Sequence, residues 1–142
     1  MTRHYVLDAW AILALLQQED PAATRVRQCL EEALANKTLL SISIINLGEV
    51  TYRIGKVKGE DAAWETLQQL RQLPLTVLQA TEEAVLAAVT FKIRYAISYA
   101  DAFAAAAAYT HKAVLMTGDP ELFHLSHEVK IEALSRSDKS SR

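Results

Sequence analysis

With 142 residues, 51% of them hydrophobic and 23% charged, the chain has the make-up of one soluble globular domain with its own core. A net charge of -2 excludes a global electrostatic pull towards nucleic acid or an anionic membrane, so any nucleic-acid contact falls to a local patch. Cys29, the single cysteine, excludes an intrachain disulfide and a Cys-rich zinc site, and no apolar run approaches the ~20 residues that span a bilayer.

The chain opens on a short apolar strand, Tyr5-Val6-Leu7, that ends in Asp8. Asp8 interrupts the apolar stretch and no small-residue cleavage site follows, so the opening does not read as a signal peptide. A reducing, cytoplasmic setting is expected. Ala9 to Gln18 carries a helical pattern, and Asp20-Pro21 opens a second amphipathic helix over roughly 21–36. Leu39 to Ile45 alternates serine with apolar residues and reads as the second strand. Asn46, followed three residues later by Glu49, predicts the start of a third helix with Glu49 in its first turn. Gly55 to Gly59 is expected to break that helix, and a fourth is predicted over 60–72 with Trp64, Leu67 and Leu70 on one side. Residues 46–72 would then form an αα hairpin beyond the sheet. Leu75 to Leu78 reads as a third strand and Glu82 to Tyr95 as a fifth helix.

The stretch from Ser98 to Asp119 is the most informative. Ala104 to Ala108 is an unbroken run of the best helix former, and Ser98 with Asp101 has the spacing of a capping box. Ala113 to Met116 reads as a buried parallel strand, with Thr117-Gly118-Asp119 its exit turn. The link between the two is too short for anything but a helix antiparallel to its strand. The helix start and the strand end therefore share one edge of the sheet. Val129 to Leu134 suits a last edge strand. Ser135 to Arg142 is polar and aperiodic and is expected to be disordered, leaving 1–134 as the domain. Short apolar strands alternating with helices predict an α/β three-layer sandwich with a mainly parallel central sheet.

The same edge collects acids. Asp8 ends the first strand, and Glu49 begins the helix after the second. Asp101 and Asp119 join them at the carboxyl edge, where open parallel sheets place ligands. Each acid alone could be a helix cap, and Asp119-Pro120 is a good one. Together, four caps would converge on one place without purpose. Helix dipoles offset only ~0.3–1 kcal/mol of the repulsion apiece. Hard oxygen ligands, with no His or Cys nearby, favour Mg2+ or Mn2+ over zinc. Such ions suit phosphodiester chemistry, because they acidify water and neutralise a departing oxygen.

Arg53, Lys56 and Lys58 follow Glu49 and are candidate RNA-phosphate contacts, though surface cations are the default reading, as for Lys92 and Arg94. His124 and His127 lack a third ligand at metal spacing and read as surface residues. Trp64 is expected in the hairpin core or a dimer contact, and Cys29 as a small packed group.

Four segments resemble, in order, the motifs of the PIN-domain ribonucleases, and specifically the VapC-type toxins of bacterial toxin–antitoxin pairs. They are Tyr-Val-Leu-Asp8-Ala-Trp, Asn-Leu-Gly-Glu49-Val, Ser-Tyr-Ala-Asp101-Ala-Phe and Leu-Met-Thr-Gly-Asp119-Pro-Glu. The likeness covers about residues 4–134 and implies a PIN-like fold. It also implies a Mg2+- or Mn2+-dependent endoribonuclease acting on RNA, held inactive by a cognate antitoxin and often homodimeric. Carried over by position, Asp8, Glu49, Asp101 and Asp119 would be the metal-binding catalytic acids, and Thr117 a hydroxyl supporting the last of them. One departure stands out: members commonly have a small polar residue two positions after the first Asp, where this chain has Trp10. That allows a second reading, a catalytically weakened PIN-like module acting through a partner protein. A third, a phosphoacceptor receiver-like domain, would need a lysine ending a late strand. Thr-Gly-Asp stands there instead.

Overall fold

The computed structural model describes residues 2–137. Its chain runs β1 (Arg3–Leu7), α1 (Ala9–Leu16), α2 (Ala22–Leu34), β2 (Thr38–Ser43), α3 (Ile44–Lys58), α4 (Glu60–Arg71), β3 (Thr76–Leu78), α5 (Glu82–Arg94), α6 (Tyr99–Thr110), β4 (Val114–Thr117), α7 (Pro120–Phe123) and β5 (Ile131–Ala133). The strands form one sheet in the order β3-β2-β1-β4-β5, with every pair parallel. The three-layer α/β sandwich expected from the alternation of strands and helices is therefore realised.

Strand order decides which helices lie on which face. The chain moves outward from β1 to β2 to β3, then crosses back over β1 to β4 and β5. Right-handed crossovers then send α1–α4 to one face and α5–α7 to the other. The pleat divides the strand residues accordingly. Tyr5, Leu7, Leu40, Ile42 and Met116 pack with Ile12, Val26, Leu47 and Val50 on the first face. Val6 and Leu115 pack with Phe91, Phe103, Leu122 and the buried alanines of α6 on the second. Those alanines leave little bulk between α6 and the sheet, so the helix can lie close to it. Cys29 is fully buried with Sγ 3.8 Å from the Met116 sulfur, as expected of a small packed group.

Several boundaries differ from the sequence reading, each for a physical reason. Ser43 caps α3, its hydroxyl accepting from the Ile45 N–H at 3.1 Å, so the helix begins two residues before Asn46. Glu49 therefore lies in the second turn of α3, not the first. Asn46 is freed for another role: its side-chain amide donates to the Ala100 carbonyl at 3.0 Å and ties α3 to the start of α6. The helix also runs through Gly55 to Lys58, and only Gly59, at φ 99°, breaks it. Gly55 serves closeness instead, because a Cβ there would stand 3.2 Å from that of Ala63 on α4. The last edge strand is confined to Ile131–Ala133. Beyond it, the Ala22 N–H donates to the Ser135 carbonyl, and the Ser137 N–H to that of Asp20. The tail expectation for residues 138–142 lies outside the described residues.

Candidate active site

The reversal of strand order falls between β1 and β4, and the ligand crevice of such a sheet opens at their carboxyl ends. Register places the groups there. Leu7 pairs with Met116, so the next residues, Asp8 and Thr117, stand side by side. The Thr117 hydroxyl donates to Asp8 Oδ2 at 2.5 Å and accepts from the Asp119 N–H at 3.0 Å. Asp8 Oδ1 accepts from the Ala11 N–H at 2.9 Å as the cap of α1. Thr117 therefore supports the first acid directly and the last through its backbone.

Asp101 and Asp119 arrive on helix starts, and Glu49 on the second turn of α3. Ser98 caps α6 by accepting from the Asp101 N–H at 3.0 Å, which fixes the turn that carries Asp101. Asp119 caps α7, accepting from the Glu121 N–H at 3.0 Å with Pro120 at the first helical position. Asp8, Glu49, Asp101 and Asp119 all line one cleft of about 100 Å³, with Trp10, Leu13 and Arg53. The capping reading and the convergence reading are both true of Asp8 and Asp119. Each caps a helix and still faces the cleft.

Electrostatics record the crowding. Burial pushes the Asp8 carboxyl from 3.8 up to about 7, with the Asp119 and Glu49 charges adding to it and the Thr117 and Ala11 hydrogen bonds opposing. Asp101 is also raised, by burial first, then by the neighbouring Asp119 carboxyl and the charges of Asp8 and Glu49. Three helix N-termini point at the group, and their partial positive charge does not cancel these shifts.

Sequence reasoning passed over Glu121. Its carboxylate joins those of Asp101 and Asp119 with ligand oxygens within 4.8 Å of one another, the one such trio among the described residues. The signal was present as an acid in the first turn after Asp-Pro, but it reads there as an ordinary helix-start residue. Asn46 was read only as a cap, and its tie to Ala100 beside Asp101 was not legible.

The cations divide. Arg53 enters the cleft and pairs with Glu49, its Nε and Nη2 lying 3.2 and 3.1 Å from Oε2. Lys56 and Lys58 stay exposed further along α3, outside the acid cleft. Trp64 is 54% exposed and borders an apolar groove of about 420 Å³ between α3 and α4. His124 and His127 are exposed as expected, and His127 meets the Tyr95 hydroxyl at 3.0 Å. Trp10 forms a wall. A Cβ on Gly118 would fall 2.2–2.4 Å from three consecutive atoms of its six-membered ring, over the ring face, and the Arg136 guanidinium lies over the same ring at 5.3 Å.

A doubly wound parallel sheet with acids gathered at its switch point defines a class of α/β domain with an acidic cleft. The chain belongs to the PIN domain family, whose profile matches residues 5–128. The same fold occurs in a chain of the VapBC2 structure from Rickettsia felis bound to a promoter DNA fragment: TM-score 0.72 at 18% identity, covering 93% of this chain and 99% of that one. A chain of DNA-bound VapBC from Salmonella typhimurium gives 0.70 at 18%, covering 94% and 98%. A chain of VapBC-1 from Haemophilus influenzae gives 0.67 at 19%, covering 92% and 97%. No curated protein matches the sequence. No helix among the described residues is long and apolar enough to cross a membrane.

Proposed function

We propose that this chain is a Mg2+- or Mn2+-dependent endoribonuclease and the toxin of a type II toxin–antitoxin pair, acting in the cytoplasm. One observation carries the reading: four carboxylates from four separate segments line a single cleft. Buried acids whose charges raise one another's pKa need either protons or a cation at neutral pH. An all-oxygen donor set fits a hard divalent ion. Asp8, Glu49, Asp101 and Asp119 would hold it, with Glu121 a further donor beside Asp101 and Asp119. Such an ion, when bound, neutralises charge on the phosphodiester and acidifies water.

The chain's own residues do the rest. Thr117 fixes the Asp8 carboxylate by a hydrogen bond and so orients its free lone pairs. Ser98 and Pro120 set the helix ends that aim Asp101 and Asp119. Arg53, paired with Glu49, is the cation nearest the acids and the one suited to a substrate phosphate. The fold shared with chains of VapBC structures supports an antitoxin partner, beside the self-association proposed for this chain. So do the exposed apolar residues Val57 and Trp64 on the α3–α4 hairpin.

The weakened-module reading rested on Trp10 in place of a small polar residue. Thr117 and the Ala11 N–H hold the Asp8 carboxylate without help from position 10, so the observation favours the enzyme. Purified protein should cleave RNA with Mg2+ or Mn2+, and Asp8→Asn or Asp101→Asn should remove the activity. Cleavage that survives in EDTA, or in both variants, would overturn the assignment. Calorimetric titration with Mn2+ separates the module, which would give no binding heat.

A further inference from the structure

We propose that Tyr52 is the platform on which a base of single-stranded RNA stacks as the strand enters the acid cleft. The inference rests on the nuclease reading and adds a recognition residue to it. The cleft has two unlike sides. On one, Trp10 and Leu13 form the wall, and the indole is taken up by Gly118 and Arg136. Arg136 is itself held by Glu19 at 3.0 Å, and its backbone bridges to Pro21. On the other, the acids open into a wider space of about 580 Å³ bordered by Ile45, Tyr52, Arg53 and Ser98. A strand reaching the acids has room there and not at the Trp10 wall.

Three aromatic rings lie near the acids, and Tyr52 is the most exposed of them. Trp10 is covered, as described. Tyr99 leans on Phe103 with ring centroids 5.2 Å apart. Tyr52 is 56% exposed, and among the described residues no ring stacks on it and no hydrogen bond holds its hydroxyl. It stands three residues after Glu49 and directly before Arg53 on α3, so it shares the helix side that carries the acid. Lys56 lies one turn further on that side, about 10 Å from Glu49 along the axis. An acid, an aromatic face and two cations in that sequence suit a single strand. The reacting phosphate sits at the acids, a neighbouring base on Tyr52 and a further phosphate near Lys56. Paired bases cannot present a face to the ring, so the substrate class is single-stranded or splayed-out RNA.

The test uses Asp101→Asn protein, expected to retain RNA without cleaving it, and a fluorescent single-stranded oligoribonucleotide in Mn2+ buffer. Adding Tyr52→Ala should weaken binding by roughly ten-fold or more, and adding Tyr52→Trp should preserve it. A duplex of the same sequence should bind more weakly and ignore residue 52. In the otherwise unaltered chain, Tyr52→Ala should leave the Mn2+ titration unchanged and raise KM more than it lowers kcat. RNA binding unaffected by Tyr52→Ala, or lost equally in Tyr52→Trp, would overturn the proposal while leaving the nuclease standing. An unaltered protein that neither binds Mn2+ nor cleaves RNA would overturn both.

Discussion

Thr117 is the hinge pin between the first acid and the last. It is fully buried, donates to Asp8 and accepts from the Asp119 backbone. Thr117→Val keeps the shape and removes both bonds, leaving a buried carboxylate short of a donor. The expected cost is about 1–3 kcal/mol of stability, read by urea unfolding, together with weaker Mn2+ binding. Gly118 makes a second case. Its φ is unremarkable and its constraint is space, since Trp10 occupies the position of a side chain. Gly118→Ala should destabilise by about 1–3 kcal/mol through overpacking, and less in a Trp10→Ala background. Additive effects in that double-mutant cycle would rule out the contact. The sequence exposed the acids because each ends an apolar run or starts a helix. It could not reveal that Thr117 serves Asp8, 109 residues away, because that depends on the β1–β4 register.

At the scale of elements, the site is a meeting of helix starts. Ser98→Ala removes the hydroxyl that accepts from the Asp101 N–H and should cost about 1 kcal/mol, measured by urea unfolding. Because the frayed turn carries Asp101, a proposed ligand, Mn2+ affinity should fall in the same variant. An unchanged affinity would show that Asp101 is held by other contacts. Ser98 was legible as a cap because its partner spacing is local. Ser43 was not, since Ile44 and Ile45 continue the apolar alternation of the strand before them and hide the helix that has already begun. The pull of Gly55 towards a predicted break failed for a related reason. Its lack of a side chain serves the approach of α4, a tertiary fact.

For the whole molecule, the acid cluster links stability to pH. In its native setting Asp8 holds its proton to about pH 7, whereas in the unfolded chain it releases it near 3.8. Between those values the folded state binds more protons than the unfolded one, so stability falls as pH rises, and the fall ends once Asp8 has ionised. Asp101 is raised too and adds to the same slope. Metal-free protein should therefore melt lower at about pH 8 than at about pH 5, and Asp8→Asn should flatten the difference. Mn2+, which needs ionised ligands, should raise Tm more at the higher pH. A Tm indifferent to pH in EDTA would contradict the raised carboxyls of buried Asp8 and Asp101.

The order of strands also has a consequence in time. β1 is laid down first, yet its partner towards Asp119 is β4, made after α1–α6 and the two strands between. A growing polypeptide halted before Val114 has Asp8 but neither Thr117 to hold it nor Asp119 to oppose it. Contacts this distant along the chain close late. The cleft is thus assembled only once β4 has been made, and a nascent chain that stops short of Asp119 holds Asp8 without its neighbours.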